Sequence, residues 1–222
     1  MSSPLRYRYQ TYECGLHDIH LRTLRDNQQF FDPENAAEDL GISSASWPIF
    51  GILWPSGQVL AHFMREFDVQ GKRILEVGCG IGLTSLMLNQ RLADITATDY
   101  HPEAGAFLAV NSGLNEGEAI PFVRTGWADA DSGMGDFDLI IGSDLLYEAE
   151  HIELLSAFID QHASDRCQVI LVDPGRGNHA KFSKRMVSLG YAHSQHKPEQ
   201  TDYLEQPFKG QILQYQREQA GC

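Results

Sequence analysis

Residues 74–82 read ILEVGCGIG, an apolar run that leads into a Gly-x-Gly-x-Gly loop. The run has the length and composition of a short buried strand, and the apolar residues from Leu83 to Leu88 predict a helix directly after the loop. Glycines allow positive φ angles and a close approach of the backbone to a ligand, and a helix start presents unpaired amides. The stretch therefore predicts a ligand site at the carboxyl end of a strand in an α/β sheet.

The spacing of the glycines distinguishes a dinucleotide site from a site for another nucleoside cofactor. A dinucleotide site has its third glycine one position later, where this chain has Leu83. Here the glycines are Gly78, Gly80 and Gly82, and Glu76 lies two positions before the first of them. A carboxylate at that place would repel a pyrophosphate, but it suits a cofactor that carries an amino group and a sulfonium. S-adenosylmethionine is such a cofactor.

A second carboxylate supports the same cofactor. Asp99 ends the next predicted strand, about 20 residues after the glycine loop, where a ribose-binding acid is expected. Its two oxygens can accept hydrogen bonds from both ribose hydroxyls. Tyr100 follows it and is expected to lie on the adenine face.

Strands and helices alternate along most of the chain. The predicted strands cover residues 73–78, 95–99, 119–124, 137–144, 167–173, 191–196 and 210–216. Such alternation forms right-handed βαβ units on a parallel sheet, but no helical pattern separates the last two strands. The expected fold class is α/β: a doubly wound, mostly parallel seven-stranded sheet with an antiparallel hairpin at its edge.

The amino-terminal part of the sequence differs from the rest. In residues 5–24, on both sides of Gly15, side chains of the kind that pack inward recur at every second position, which predicts a half-buried β-hairpin. Residues 26–46 are polar and predict a loop. We therefore divide the chain into an extension at 1–46 and one domain at 47–222.

Composition and charge exclude several classes of protein. The chain has 222 residues, 42% of them hydrophobic, and a formal charge of −13. Ordinary hydrophobic content argues against disorder, and the acidic balance argues against a protein that binds nucleic acid by neutralising phosphates. No apolar run approaches the roughly 20 residues of a membrane span, and the first ten residues lack a secretory signal pattern.

Cysteine and histidine spacing gives no metal site. The four cysteines, at positions 14, 79, 167 and 222, form neither a zinc motif nor a disulfide framework. Reduced thiols and a cytoplasmic location are the expectation. The nine histidines show no metal-ligand spacing and are expected on the solvated surface.

The glycine loop resembles the first motif of the seven-β-strand S-adenosylmethionine-dependent methyltransferases. The sequence SDLLYE at 143–148, directly after the fourth strand, resembles the Asp-x-x-Tyr/Phe motif of the protein lysine methyltransferase family. Three further segments resemble parts of that family: WPSG at 54–57, GW at 126–127 and DPGR at 173–176. The resemblance covers roughly residues 50–217 and implies a Rossmann-like methyltransferase fold.

The resemblance also implies roles for individual residues. Asp144 would accept a hydrogen bond from the acceptor amine, and Tyr147, expected one helical turn later, would line the amine channel. Ordinary structural alternatives are a helix N-cap for Asp144 and core packing for Tyr147. Arg176 would bind a substrate carboxylate or pair with an internal acid. Three more residues are assigned to the cofactor side: Trp54, Trp127 and Ser143.

The implied function is N-methylation by S-adenosylmethionine, with a lysine side chain of a protein as the first choice of acceptor. A small-molecule N-methyltransferase on the same fold and a non-catalytic cofactor-binding or interaction protein are the alternatives. A dehydrogenase is disfavoured by Leu83, and a nucleic-acid methyltransferase by the negative charge. The identity of the acceptor and the oligomeric state stay open.

Overall fold

The structure is a computed structural model that describes residues 4–129 and 133–217. This part of the chain contains nine strands and five α-helices. The strands are β1 (Tyr7–Cys14), β2 (His17–Leu24), β3 (Arg73–Val77), β4 (Asp94–Asp99), β5 (Phe122–Arg124), β6 (Phe137–Ser143), β7 (Ala163–Asp173), β8 (Ala192–His196) and β9 (Gln211–Gln216). The helices are α1 (Pro55–Met64), α2 (Leu83–Gln90), α3 (Ala104–Leu114), α4 (His151–His162) and α5 (His179–Ser188).

Seven of the strands form one sheet in the order β5-β4-β3-β6-β7-β9-β8. The first five of these are parallel neighbours, and β9 runs antiparallel to both β7 and β8. The predicted doubly wound, mostly parallel sheet with an antiparallel hairpin at its edge is confirmed. The chain moves outward from β3 to β5 and then returns to β6, so the strand order reverses between β3 and β6. Ligands of open α/β sheets bind at such a reversal.

The central strands are buried on both faces, and consecutive residues enter different cores. Ile74 of β3 packs with α1, α2 and α3, whereas Leu75 packs with α4 and α5. In β6, Ile141 belongs to the core of Ile74 and Ile140 to the core of Leu75. Burial on both faces explains why these strands are almost continuously apolar in sequence.

Two strand boundaries in the large sheet differ from the prediction by more than one residue. β5 begins at Phe122, because Pro121 has no N–H to donate to the ladder. β7 begins at Ala163, well before the predicted residue 167. The residues that follow Ala163 are polar and partly or fully exposed, so this part of the strand carries no apolar signal.

The predicted amino-terminal hairpin is confirmed, and it packs against the outer surfaces of α2 and α3. Its inward residues Ile19 and Leu21 belong to the same core as α1 and α3. Buried Asn111 of α3 fixes β2 in place: its Oδ1 accepts from the Arg22 N–H at 2.7 Å. Its Nδ2 donates to the Ile81 carbonyl at 2.9 Å and to the Arg22 carbonyl at 3.3 Å.

Three cysteines, Cys14, Cys79 and Cys167, are free and buried, and Cys222 lies outside the described residues. Within residues 4–129 and 133–217, none of the helices combines the length and the apolar character needed to cross a bilayer.

We expect Asn111→Ala to lower the free energy of unfolding by about 2–4 kcal/mol, because it leaves the buried carbonyl of Ile81 and the partly buried backbone groups of Arg22 without this partner. Urea unfolding measures the loss, and amide hydrogen exchange should show faster exchange at Arg22. Asn115→Ala is the matched control: Asn115 also bonds β2, through His20, but is partly exposed. An Asn111 variant no less stable than the Asn115 variant would contradict this role.

Candidate functional site

The carboxyl ends of four adjacent parallel strands meet at one edge of the sheet. They bring together the residues that follow or end β3, β4, β6 and β7: Gly78, Asp99, Asp144 and Asp173. Backbone hydrogen bonds join these ends. The Cys79 N–H donates to Thr98 and the Asp144 N–H donates to Val172, both at 2.9 Å. Residues predicted from separate parts of the sequence thus share one site.

The glycine loop has the left-handed backbone that its sequence predicts. The φ angles are 63° at Gly78, 55° at Gly80 and 80° at Gly82. At Gly80 the requirement is also steric, because a Cβ there would lie 2.8 Å from the carbonyl oxygen of Phe50. The segment that precedes α1 therefore covers one side of the loop at van der Waals distance.

Glu76 lies buried beneath the glycine loop. Its Oε2 accepts hydrogen bonds from the Ser85 N–H, at 2.8 Å, and from the Ser85 hydroxyl. Ser85 is in the first turn of α2, whose N-cap residue is Gly82, so Glu76 supplies the capping acceptor that a glycine lacks. Burial raises the pKa of Glu76 to about 7, against the effect of the Ser85 hydrogen bonds.

Asp99 holds the same loop from the side of β4. Its Oδ2 accepts from the Gly80 N–H and its Oδ1 accepts from the His101 N–H, both at 2.8 Å. Burial raises the pKa of Asp99, and the backbone hydrogen bonds act in the opposite direction. The ring of Tyr100 is partly exposed, and its hydroxyl donates to the Leu40 carbonyl at 2.8 Å. This bond ties the loop at 26–46 to the edge of the site.

The start of α1 forms another wall of the site. Trp54 precedes the helix, and its Nε1–H donates to the Ile49 carbonyl at 2.8 Å. A Cβ on Gly57 would lie 3.6 Å from the hydroxyl oxygen of Ser143. The structure therefore brings Ser143, at the end of β6, against the first turn of α1.

Asp144 has a positive φ of 54°, which is uncommon outside glycine but more accessible to Asp than to most residues. Both of its carboxylate oxygens bind Arg176: Nε donates to Oδ1 at 2.6 Å, and Nη2 donates to Oδ2 at 2.8 Å. Of the two roles predicted for Arg176, the structure has the internal pairing. The hydrogen bonds to Asp144 raise the pKa of Arg176.

Tyr147 is not on a helix, and the prediction that it lies one helical turn after Asp144 is wrong. Residues 144–150 are irregular, and α4 begins at His151. The helix that follows, α4, has Glu150 as its N-cap residue, so the N-cap alternative for Asp144 is also wrong. Tyr147 is 52% exposed, which rules out core packing. Partial burial of the hydroxyl, and then the charges of Asp99, Glu148 and Asp144, raise the pKa of Tyr147.

An aromatic group surrounds His151, which the sequence did not single out. The Tyr147 ring meets the His151 ring edge-on at 4.4 Å, and the Trp127 ring does so at 5.0 Å. Trp127, predicted on the cofactor side, and Tyr147 therefore both contact the His151 ring. The expectation of solvated histidines is wrong for His101 and His162, both of which are buried in ring clusters.

His151 also belongs to an acidic group on the surface. One ligand atom from each of Glu148, Glu150 and His151 lies within 4.8 Å of the others. Both glutamates are exposed, and such groupings are common on acidic surfaces, so no metal is assigned to it.

The chain matches a known protein family and individual proteins of that kind. A family model described as lysine methyltransferase matches residues 37–188. The electron transfer flavoprotein beta subunit lysine methyltransferase of Xenopus laevis is 31% identical over 63% of this chain and 56% of its own length. The protein N-lysine methyltransferase METTL21A of Danio rerio is 30% identical over 58% of this chain and 63% of its own length. The chain thus spans little more than half the length of these relatives.

Solved structures share the fold at low sequence identity. The 16S rRNA N2 G1207 methyltransferase RsmC of T. thermophilus, in complex with AdoMet and guanosine, has a TM-score of 0.68 and 13% identity, covering 97% of this chain and 52% of its own. The ribosomal protein L11 methylase of Lactobacillus delbrueckii subsp. bulgaricus has a TM-score of 0.62 and 19% identity, covering 95% of this chain and all of its own. These likenesses show the fold alone.

We expect Glu76→Gln to flatten the pH dependence of stability. The pKa of Glu76 is about 7 in the folded protein and about 4.3 when unfolded, so the folded state binds more protons between those values. The free energy of unfolding of the wild type should fall by about 3 kcal/mol between pH 4.5 and 8 through this group, and the variant should lack that loss.

Urea unfolding at pH 5 and pH 8 measures the difference. Glu66→Gln is the control, because Glu66 is exposed on the surface and should leave the pH dependence of the wild type unchanged. Parallel pH dependences for the wild type and the Glu76 variant would contradict the assignment.

Proposed function

This chain belongs to the lysine methyltransferase family, and from that premise we propose that it transfers the methyl group of S-adenosylmethionine to a lysine side chain of a protein. The observation that carries the proposal is the shared position of Asp144 and the glycine loop. Asp144 follows β6, the loop follows β3, and these two strands are neighbours at the reversal of strand order.

The residues at this edge fit S-adenosylmethionine. Each oxygen of Asp99 already accepts one backbone hydrogen bond, and each keeps acceptor capacity for a ribose hydroxyl. Glu76 is a buried carboxyl whose ionisation a nearby ammonium group would favour. We assign further contacts with the cofactor to Gly78, Gly80, Gly82, Trp54, Tyr100, Trp127 and Ser143.

S-adenosylmethionine supplies an electrophilic methyl group on a sulfonium. The nitrogen of the lysine forms a bond to the methyl carbon while the carbon–sulfur bond breaks, which leaves a neutral thioether and S-adenosylhomocysteine as product. Free lysine has a pKa of about 10.4 and must lose a proton before transfer. Asp144 accepts a hydrogen bond from the amine and directs its lone pair, and Tyr147 lines the approach. Positioning of two bound reactants can supply roughly 7–11 kcal/mol of rate enhancement.

The exposed surroundings of Asp144 favour a protein acceptor. The side chains of Tyr147 and Arg176 are half exposed, so the approach to the carboxylate opens at the surface. Glu148 and Glu150 are exposed beside it and attract cationic segments. The electron transfer flavoprotein beta subunit, on which the first relatives act by name, is our first acceptor to test.

For the cofactor, we expect calorimetry to show micromolar-range binding of S-adenosylhomocysteine. Asp99→Asn should weaken binding by about tenfold or more, because one of the two acceptor oxygens becomes an NH2 group, which cannot accept from a backbone N–H or a ribose hydroxyl. Asp94→Asn is the matched control, at the exposed start of the same strand. The absence of binding to the wild type would remove the cofactor assignment, and equal affinities of the two variants would remove the role of Asp99.

For catalysis, we expect Asp144→Asn to keep the affinity for S-adenosylhomocysteine and to lower methyl transfer by about 10²- to 10⁴-fold. Asparagine tolerates a positive φ, so the backbone is preserved while the charge is lost. Transfer is measured with tritiated S-adenosylmethionine, purified electron transfer flavoprotein and a cell lysate, followed by mass spectrometry of the labelled material. Exposed Asp165→Asn is the control.

Transfer by the Asp144 variant at the parent rate would disprove its catalytic role. Label on a protein lysine supports the proposed acceptor class. Label confined to the small-molecule fraction would favour the small-molecule N-methyltransferase instead.

A further inference from the structure

The carboxylate that the proposed function gives to the acceptor amine is already paired within the chain. Arg176 binds Asp144 through two parallel hydrogen bonds, the arrangement that gives the strongest arginine–carboxylate pairs. The Asp144 side chain is only 15% exposed, whereas that of Arg176 is 47% exposed. The guanidinium thus covers Asp144 on the side that opens to solvent, where an acceptor would arrive.

The position of Arg176 in the chain allows this side chain to leave without unfolding an element. Arg176 lies after the end of β7 and before α5, between two glycines. Gly175 and Gly177 have φ angles of 97° and 92°, which glycine adopts without strain. The guanidinium is half exposed, so water solvates it once it leaves, and an arriving cation takes over its charge at Asp144, so the exchange leaves no buried charge unpaired.

A second carboxylate, at the end of β7, is available to Arg176. Asp173 is 3% exposed, and its Oδ1 accepts from the Gly175 N–H at 2.8 Å. Its Oδ2 is buried and has no hydrogen-bond partner within residues 4–129 and 133–217. Asp173 lies three residues before Arg176 in the chain, and after the hydrogen bonds to Asp144 its negative charge also favours a raised pKa of Arg176. An unpaired buried carboxylate oxygen is unfavourable, so a donor that moves to it is stabilised.

We propose that Arg176 is an internal substitute for the acceptor ammonium, which occupies Asp144 until a cationic side chain displaces it and then moves to Asp173. The inference rests on the proposed function, since it concerns the same carboxylate. The exchange leaves Asp144 paired with a cation and gives a hydrogen-bond donor to Oδ2 of Asp173, whose Oδ1 already has the Gly175 N–H and, at 3.7 Å, Nδ1 of His179. Neutral groups cannot replace the guanidinium, so Arg176 makes the site selective for an amine that arrives charged.

The exchange also fixes the order of events for the proton. The amine displaces Arg176 as an ammonium and binds Asp144 in that form. It then loses its proton to solvent before the methyl group is transferred. Asp173 ends β7, the neighbour of the strand that Asp144 follows, so Arg176 on Asp173 stays near the amine and disfavours its charged form. Arg176 is a positioning and specificity residue that acts through Asp144.

The test uses the full chain saturated with S-adenosylhomocysteine and n-butylammonium chloride as the probe for a lysine side chain. We expect Arg176→Gln to bind the probe about three- to tenfold more tightly than the wild type, because the internal competitor is gone. Arg176→Lys, which cannot form the bidentate pair, should lie between them. Arg166→Gln is the control for charge, because Arg166 is exposed on β7.

Nuclear magnetic resonance of the arginine Nε–H groups reports the exchange directly. The signal that is lost in Arg176→Gln should shift when n-butylammonium is added to the wild type, and sodium chloride at equal ionic strength should not shift it. A structural role for Arg176 would produce neither this shift nor a gain in affinity.

Asp173→Asn tests the second position of the guanidinium. It should weaken n-butylammonium binding in the wild-type background and have no effect in the Arg176→Gln background. Equal losses in the two backgrounds would overturn the movement to Asp173.

Equal probe affinities of the wild type and Arg176→Gln, including no measurable binding to either, would overturn the inference while S-adenosylhomocysteine still binds. Failure of S-adenosylhomocysteine to bind would instead overturn the proposed function, so the two failures are distinguishable.

Discussion

The buried carboxylate of Glu76 joins strand β3 to helix α2 across the glycine loop, and the rest of the site depends on that junction. Gly82 has no side chain with which to cap α2, and Glu76 accepts the Ser85 amide in its place. Asp99 then holds the middle of the loop through the Gly80 amide. With both ends and the middle fixed, the left-handed backbone of the loop becomes a rigid surface on which a ligand can be positioned.

The same edge of the sheet holds several buried carboxyl groups, whose ionised forms need positive charge nearby. Burial raises the pKa values of Glu76, Asp99 and Asp173, three carboxyl groups at or near the carboxyl ends of β3, β4 and β7. A bound cation reverses that effect, because an opposite charge favours the ionised carboxylate. Arg176 supplies such a charge to Asp144 from within the chain. The proposed ligands, a sulfonium cofactor and an ammonium acceptor, carry the sign that this edge lacks.

Sequence alone predicted the elements whose residues carry a local signal. Residues of β3 and β6 are apolar because both faces are buried, and the hairpin alternates because one face is buried. The backbone at Asp144 carries no such signal: its positive φ accompanies bonds to Val172 and Arg176, which are distant in sequence. The sequence spacing therefore predicted a helical turn from Asp144 to Tyr147 that does not exist. The partners of Asn111 and His151 are also distant in sequence or set by an irregular loop, so no local pattern predicts them.

The position of β9 has a consequence for synthesis on the ribosome. β9 lies between β7 and β8, so neither of those strands can complete its pairing until the later strand has been made. During that interval β7 presents an apolar edge with unpaired amides and carbonyls, which is the kind of surface through which nascent chains associate. Translation speed over residues 174–216, and chaperones that cover strand edges, would therefore govern the yield of correctly folded protein.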